Sequence, residues 1–509
     1  MLIFGFILLP FIFEFIVAFI FGATKFSNIG FVILKAFILC IPFLIFQAER
    51  FRRILFYILY VMLFIPVIMN IIHLLIFHVE LNYFSLISIF DTNLSESMEF
   101  VEHFGRMKIS YIEILGLIFI AILISCLFFI ERVSKDIRYC ELRERYKIIL
   151  CIIFVGGTYV FSTANFVNQF PFSKIITSYL HYRRDIINER AILQSRKKDF
   201  SYGGKVSSVF PDDEDETYII VIGESVDRKH MSLYGYDKKT TPYFDSMRDE
   251  LTIFKNVRSS HCHTLPALRG VLTFDEDFSK GDIVSFCKFA GFKTYWLSNQ
   301  YIGGPCDNLM SIIGHMAHQS VFINRVLYSG CQTGEYDSRV LPYLKDILKD
   351  KSNRKKIVFI HLIGSHLPYK RRYPKSFEVF KSKFQTKHSR EVSEYDNSIL
   401  FTDFILQSII SELHNISGVR AMIYFSDHGD DVYEDPNSIH AHMESIGTCH
   451  MFEIPCIAWF SKEYKKYRQE FIDGINPEKS YQTGKMIYSL IDFLGLNHSI
   501  QNLENSLFR

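Results

Sequence analysis

The chain has 509 residues, 49% of them hydrophobic, and its 56 basic and 54 acidic side chains leave a net charge of +2 at neutral pH. This balance argues against a nucleic-acid partner, since binding to a phosphate backbone calls for a marked excess of positive charge. The length leaves room for more than one domain.

Long apolar segments dominate roughly the first 170 positions, and each approaches the ~20 residues that a bilayer crossing needs. We predict five spans, at Met1–Ala23, Phe31–Gln47, Ile54–Val79, Tyr111–Ile130 and Ile148–Val167. Basic segments at Glu49–Arg53 and Glu131–Lys147 separate spans two and three and spans four and five. Because basic loops stay in the cytoplasm, everything after Val167 is expected outside it. The first span lacks a basic leader and is predicted to be an anchor.

The remainder of the chain divides at an acidic run, Pro211–Glu216. Before it, Phe170–Val209 is polar and basic, and we predict a bridging helix or linker along the membrane surface. After it, apolar β-runs such as YIIVIG, KTYWLS and AMIYFS alternate with helical patterns, which predicts an α/β sandwich with a mainly parallel sheet. The predicted domains are therefore 1–170 (transmembrane), 171–215 (bridge) and 216–509 (soluble, α/β). Six cysteines in the soluble part permit disulfides without fixing their pairing.

Two of the β-runs end in side chains that bind metals. YIIVIG leads directly into Glu224, and AMIYFS leads into Asp427 and His428. The carboxyl ends of strands in an open α/β sheet are where ligands bind, so these side chains are expected at one edge. Carboxylate oxygen and imidazole nitrogen are both zinc ligands. An ordinary hydrogen-bonded Asp–His pair is the alternative, and it leaves Glu224 unexplained.

Thr264 is the candidate nucleophile. It lies two residues before Pro266, in a context that predicts a helix N-cap, where free backbone N–H groups and the helix dipole favour a phosphoryl anion. A threonine hydroxyl is a poor nucleophile until a metal or base activates it. Glu224, Thr264, Asp427 and His428 would together form a four-ligand zinc site. A threonine that only caps its helix is the alternative.

Further polar residues are candidates for the same pocket. His366 follows another β-run, and His440 and His442 follow the Asp-His-Gly turn. Imidazoles beside a phosphate can hold its oxygens or protonate a leaving group. Three more residues could line the pocket, although structural roles are equally compatible with the sequence: Arg228, Asn299 and Gln300.

The order of these motifs resembles a known family. The chain contains GESxxRxHMSLYGYxxxTTP from Gly223, HTxPALxxxLTF from His263, HLIGSHLPYKRRYP from His361 and IYFSDHGDDVY from Ile423. This series resembles the membrane phosphoethanolamine transferases of the alkaline phosphatase and sulfatase superfamily. The resemblance covers nearly the whole chain, including five spans before a soluble domain.

The resemblance implies a fold, a location and an activity. It implies a five-helix transmembrane bundle in the bacterial inner membrane, followed by a periplasmic α/β domain of the alkaline phosphatase and sulfatase type. Zinc-bound Thr264 would take phosphoethanolamine from the membrane lipid phosphatidylethanolamine and form a phosphothreonine. The acceptor would be a lipopolysaccharide core sugar, lipid A or a periplasmic glucan, and the context of Thr264 is closest to the core and glucan branch. The added ammonium would reduce attraction for cationic peptides.

The resemblance also assigns residues. Glu224, Asp427 and His428 would hold zinc with Thr264, while His366 and His440 would lie around the phosphate. His442 could take the place given to His440. In the periplasmic loop 80–109, Thr92 and Glu96 match the family's donor-lipid segment, and Glu96 could pair with the ethanolamine ammonium; an ordinary amphipathic loop is the alternative there.

Other activities remain possible on the same scaffold. A phosphatase, a sulfatase or a glycerol-phosphate transferase would use the same edge of the sheet. Sulfatases carry a modifiable Cys or Ser in a CxPxR-like context, whereas this chain has Thr264 in HTLPALR. A non-catalytic membrane sensor or scaffold is the other alternative, and the complete set of four predicted ligands argues against it.

Overall fold

The computed structural model describes residues 202–300, 309–324, 334–382, 386–434 and 447–509 of the later part of the chain. Before position 202 it describes 2–20, 22, 24–45, 54, 58, 65–75, 80–81, 85–86, 89, 114, 121, 143–163 and 171–196. These residues fall into two compact units that divide after Arg184. The predicted boundaries at 170 and 215 stay predictions.

The first unit is mainly helical where it is described. The bounds of the long helices are α1 Leu2–Ile20, α2 Ile29–Ile45, α3 Glu144–Thr163 and, across the division, α4 Pro171–Arg196. Apolar side chains of α1 pack with others from α2 and from the helical residues 65–75. Within the described residues, no helix combines the length and the apolar composition required for a membrane crossing. The five spans therefore stay a prediction.

The second unit contains the predicted α/β domain. Its helices are α5 Pro242–Ser246, α6 Thr264–Leu272, α7 Ile283–Phe289, α8 Leu309–Met316, α9 Val340–Lys349, α10 Lys387–His414, α11 Cys449–Phe452, α12 Lys462–Tyr467, α13 Gln469–Asp473 and α14 Met486–Phe493. Its strands are β1 Ser207–Ser208, β2 Glu216–Gly223, β3 Leu251–Phe254, β4 Val257–Arg258, β5 Lys293–Ser298, β6 Gln319–Phe322, β7 Lys355–His361, β8 Val419–Ser426, β9 Cys456–Phe460, β10 Tyr481–Gln482 and β11 Leu496–Asn497.

Seven of these strands form the central sheet, in the order β3-β9-β8-β2-β7-β5-β6. Its pairs are parallel except those of β9, which is antiparallel to both β8 and β3. The prediction of a mainly parallel sheet is therefore confirmed. β2, β7 and β8 lie side by side in the middle, so their carboxyl ends meet at one edge.

Burial on both faces explains why the central strands are apolar throughout. Alternate side chains of β2 point to opposite faces, with Tyr218, Ile220 and Ile222 in one buried cluster and Ile219 and Val221 in another. Helices cover both faces, and α6 packs in the first cluster. A sheet buried in this way holds its strand ends firmly, and these ends carry the candidate site.

Four cysteines of the α/β domain are described: Cys262, Cys287, Cys449 and Cys456. Cys287 and Cys456 are buried free thiols, Cys449 is an exposed free thiol, and Cys262 is buried. Cys306 and Cys331 lie outside the described residues.

Candidate active site

The registry of the two central strands brings the predicted acidic ligands together. Gly223 at the end of β2 pairs with Ser426 at the end of β8. The residues that follow, Glu224 and Asp427, are therefore neighbours, and the Asp427 N–H donates to Gly223 O over 3.1 Å. Glu224, Asp427 and His428 are each at most 1% exposed. Sheet topology thus concentrates these three side chains in the interior.

Thr264 approaches these three side chains from α6. The helix begins at Thr264 itself, so its N-cap is His263, one residue before the predicted N-cap. His263 is the residue with extended backbone, and Ala267 N–H donates to His263 O. Thr264 Oγ1 lies 3.2 Å from Glu224 Oε2 and 3.5 Å from His428 Nε2. All four predicted ligands therefore meet at one point.

The donor atoms of the three buried ligands point towards one another. His428 Nε2 lies 3.2 Å from Glu224 Oε1 and 3.5 Å from Asp427 Oδ2. His428 Nδ1 lies 3.0 Å from Gly429 O and donates to it, so Nε2 is the ring nitrogen that faces the carboxylates. Asp427 Oδ2 is buried and accepts no hydrogen bond from the described residues. One atom from each ligand lies within 4.8 Å of the others.

The charges in this cluster call for a cation. Burial, with the nearby Glu224 carboxylate, raises the pKa of Asp427, so a second negative charge is costly here. Burial alone would lower the pKa of His428, but the carboxylates of Asp427 and Glu224 outweigh it and raise the pKa to about 10. Two buried carboxylates with a single imidazole are costly unless a positive charge compensates them.

The residues present fit zinc. Two carboxylate oxygens, one imidazole nitrogen and a hydroxyl oxygen match the oxygen and nitrogen ligands that zinc takes in four-coordinate sites. The buried Asp427 Oδ2 that accepts no hydrogen bond and the inward-facing His428 Nε2 are the atoms that such an ion would bind. The assignment of zinc to this position rests on the chemistry of these four ligands.

Gln300 and His366 flank Glu224. Gln300 Nε2 donates to Glu224 Oε2 over 3.2 Å and to Leu362 O over 2.8 Å. The turn before His366 packs on Glu224, whose carbonyl oxygen accepts from Ser365 N–H over 2.9 Å. His366 is half-buried, and its Nδ1 donates to Leu367 O over 2.7 Å, which leaves Nε2 as the proton acceptor.

Two other predicted site residues, Arg228 and Asn299, make their described contacts away from the four ligands. Arg228 donates to Val257 O over 2.8 Å and lies 3.4 Å from Glu453. Asn299 is fully buried and donates to Glu335 O and Asp337 Oδ1, both over 2.9 Å. Their role in substrate binding stays a prediction. Four others lie outside the described residues: Thr92, Glu96, His440 and His442.

Sequence reasoning missed the residues that support the ligands. Ser225, next to Glu224, bonds both Glu224 and Asp427. Asp337 accepts from the backbone N–H groups of Ile363 and Gly364 over 2.9 Å each, and so holds the turn that packs on Glu224. The GES and HLIGSH motifs contain most of these positions, but no residue pattern reveals which side chain bonds which.

A second buried polar cluster surrounds His230. Its Nδ1 lies 2.9 Å from Asp396 Oδ1 and its Nε2 contacts Glu434 Oε1, while Lys238 bonds the other oxygen of Asp396. Burial opposes a charge on this imidazole, but the hydrogen bonds to Asp396 and Glu434 outweigh it and raise the pKa of His230 to about 9. This cluster joins the segment after Glu224 to the segment after His428.

The sheet is mainly parallel, and its carboxyl edge carries a buried Glu–Asp–His set with a threonine at the start of a helix. These features define an enzyme of the alkaline phosphatase and sulfatase type. Residues 216–495, more than half of the chain, match the Sulfatase family. The chain belongs to that family.

The chain is also similar to named phosphoethanolamine transferases. It is 25% identical over 449 residues to phosphoethanolamine transferase EptC of Escherichia coli O18:K1:H7, and the aligned region covers 80% of this chain and 74% of that protein. The periplasmic domain of Escherichia coli EptC, crystallised with zinc, has a TM-score of 0.55 and 27% identity over 60% of this chain and 89% of its own. The resemblance to the phosphoethanolamine transferases is confirmed.

The fold likeness extends to a complete membrane protein. The integral membrane lipooligosaccharide phosphoethanolamine transferase A of Neisseria meningitidis has a TM-score of 0.63 and 18% identity, over 99% of this chain and 96% of its own. At that identity the likeness concerns the fold alone.

Proposed function

We propose that this protein transfers phosphoethanolamine from phosphatidylethanolamine to an acceptor in the bacterial envelope through a phosphothreonine at Thr264. The geometry of Thr264 carries the proposal, since its hydroxyl oxygen lies 3.2 Å from Glu224 and 3.5 Å from His428 at the edge of the sheet. The names of the similar proteins support the same reaction class.

The first half-reaction makes the phosphothreonine. When zinc is bound by Glu224, Asp427 and His428, it lowers the pKa of a neighbouring hydroxyl and offsets the charge of a phosphoryl group. Thr264 Oγ1, in its deprotonated form, forms a bond to phosphorus. The bond between phosphorus and the glycerol oxygen breaks, and diacylglycerol leaves with a proton. His366 is the group we assign to supply that proton.

The second half-reaction passes the group on. The acceptor hydroxyl attacks phosphorus, and its proton goes to His366 Nε2, whose lone pair is available because Nδ1 donates to Leu367 O. The bond from phosphorus to Thr264 Oγ1 breaks, which restores the starting state. His440 and His442 remain proposed contributors near the phosphate.

The donor, the acceptor and the location are parts of the same proposal. Thr92 and Glu96 would recognise the donor lipid, and the acceptor would be a lipopolysaccharide core sugar, lipid A or a periplasmic glucan. The protein would lie in the inner membrane with residues 216–509 in the periplasm. Escherichia coli EptC, whose C-terminal domain is described as periplasmic, supports this location.

Labelled donor lipid tests the proposal. The full-length chain is incubated with phosphatidylethanolamine labelled in its ethanolamine, without acceptor, and digested for mass spectrometry. Labelled phosphoethanolamine is expected on Thr264. Thr264→Ala should lower its uptake by about 10³-fold or more, since a lone nucleophile has no substitute, and Thr264→Ser should retain it.

Thr273→Ala is the matched control, because Thr273 follows the other end of the same helix and its hydroxyl bonds only Arg269 O among the described partners. It should take up label like the unmodified chain. Label that never reaches Thr264, or that accumulates only as free phosphoethanolamine, would make the protein a hydrolase or exclude this donor.

A further inference from the structure

We propose that Ser225 is a positioning residue for the metal site, and that it orients the carboxylates of both Glu224 and Asp427 before a metal binds. The inference rests on the proposed function, because it concerns the same zinc site. It adds a role for a residue that none of the ligand assignments includes.

Ser225 makes one hydrogen bond to each of the two carboxylates. Its Oγ donates to Glu224 Oε1 over 2.8 Å, and its backbone N–H donates to Asp427 Oδ1 over 3.1 Å. Ser225 is fully buried, so water does not compete for these bonds. Asp427 Oδ1 also accepts from the His428 backbone N–H over 2.7 Å, so Oδ2 is the oxygen left for a cation, and it accepts no hydrogen bond from the described part of the chain. Ser225 thus contacts both acidic ligands, and its hydroxyl holds Glu224.

The backbone of Ser225 is strained in a way that serves this arrangement. Its φ of +59° lies in the left-handed region, which side chains other than glycine rarely adopt. Glycine would take this conformation without strain but would have no hydroxyl to offer Glu224. A strained serine where glycine would be easier points to a function for the hydroxyl.

Neighbouring groups hold this conformation in place. Tyr395 OH donates to Ser225 O over 2.7 Å and accepts from Asp227 N–H over 2.8 Å. The intervening Val226 N–H donates to Ser426 Oγ over 2.9 Å. The turn is therefore fixed on both sides, and substitution of Ser225 should remove the hydroxyl without moving the turn.

A pair of substitutions separates the hydroxyl from the backbone. Ser225→Ala and Ser225→Gly both remove the hydroxyl, but only glycine relieves the strain. Zinc affinity of the full-length chain is measured by competition with a chromophoric chelator, and thermal unfolding is measured in the metal-free state. Both variants should bind zinc about 10–100-fold more weakly, as for other lost contacts to metal ligands. Metal-free Ser225→Gly should nevertheless unfold about 2–4 °C above Ser225→Ala.

Ser489→Ala is the matched control. Ser489 is also fully buried, and its hydroxyl bonds Tyr481 OH and Leu507 N–H over 2.8 Å each. Since these residues belong to α14, β10 and the C-terminal end, this variant should unfold at a lower temperature with unchanged zinc affinity.

The outcomes separate the inference from the function on which it rests. Zinc affinity within about twofold of the unmodified chain in both variants would overturn the inference. The inference would also be overturned if zinc affinity followed thermal stability, with normal affinity in Ser225→Gly and weak affinity in Ser225→Ala. If the unmodified chain binds no zinc, the proposed function fails as well. If it binds zinc and labels Thr264 while the Ser225 variants bind equally tightly, the inference alone fails.

Discussion

Replacing His230 by glutamine tests the buried cluster that joins the two ligand-bearing segments. His230 is 2% exposed and lies between the carboxylates of Asp396 and Glu434. The His230→Gln variant keeps hydrogen-bonding groups but carries no charge at any pH. The difference in stability between the unmodified chain and the variant should therefore be largest at pH values where His230 is charged in both the folded and the unfolded state.

The size of this effect follows from the pKa of His230. A pKa of about 9 in the folded protein, against an ordinary value of about 6.5, corresponds to about 3 kcal/mol of stabilisation. Because the folded pKa is the higher one, this stabilisation is fully present below pH 6.5 and is lost as the pH rises through 9. The free energies of unfolding of the two proteins should differ by about 3 kcal/mol at pH 6 and converge towards pH 10.

Tryptophan fluorescence during urea unfolding reports on the relevant domain, since both tryptophans of the chain, Trp296 and Trp459, lie in it. His414→Gln is the control, because the His414 side chain is 52% exposed and lies 3.9 Å from its ion-pair partner, Glu250. It should change the free energy of unfolding by less than about 0.5 kcal/mol at every pH. A constant difference between His230→Gln and the unmodified chain from pH 6 to pH 10 would refute the assigned charge.

Two further substitutions test the support of Glu224. Gly364→Ala should lower the free energy of unfolding by about 2 kcal/mol or more and weaken zinc binding, because φ at Gly364 is +50° and an added Cβ would lie 2.7 Å from Glu224 O. The control is Gly235→Ala: φ at Gly235 is +102° but an added Cβ would meet open space, so zinc affinity should not change. Equal zinc affinities in the two glycine variants would contradict this. Gln300→Ala should weaken zinc binding about tenfold with little change in thermal unfolding, because the bond to Glu224 Oε2 is lost; an unchanged affinity by chelator competition would count against it.

The residue pattern was sufficient to predict the central sheet and the meeting of the ligands. Runs such as YIIVIG and AMIYFS are buried on both faces, so they read as continuous apolar segments and correspond to β2 and β8. Since both strands are parallel neighbours, the residues after them had to meet, and Glu224, Asp427 and His428 do. The edge strands β3 and β6 are short and only partly buried, and their composition gave no comparable signal.

The supporting contacts could not be predicted because they depend on backbone conformation and on long-range pairing. Nothing in the sequence marks Ser225 as left-handed, since serine rarely adopts positive φ. His230 and Glu434 are 204 positions apart, and the bond between them follows from where two turns end. The start of α6 was misjudged by one residue because His263, which lacks a side-chain cap, takes the extended backbone expected of Thr264.

Anomalous scattering at the zinc absorption edge, from crystals grown in excess zinc, tests the central claim most directly. We expect one strong peak between the carboxylates of Glu224 and Asp427, about 2.0–2.2 Å from their oxygens, from His428 Nε2 and from Thr264 Oγ1. A zinc-replete crystal without this peak, or with the ion out of reach of the Thr264 oxygen, would contradict it.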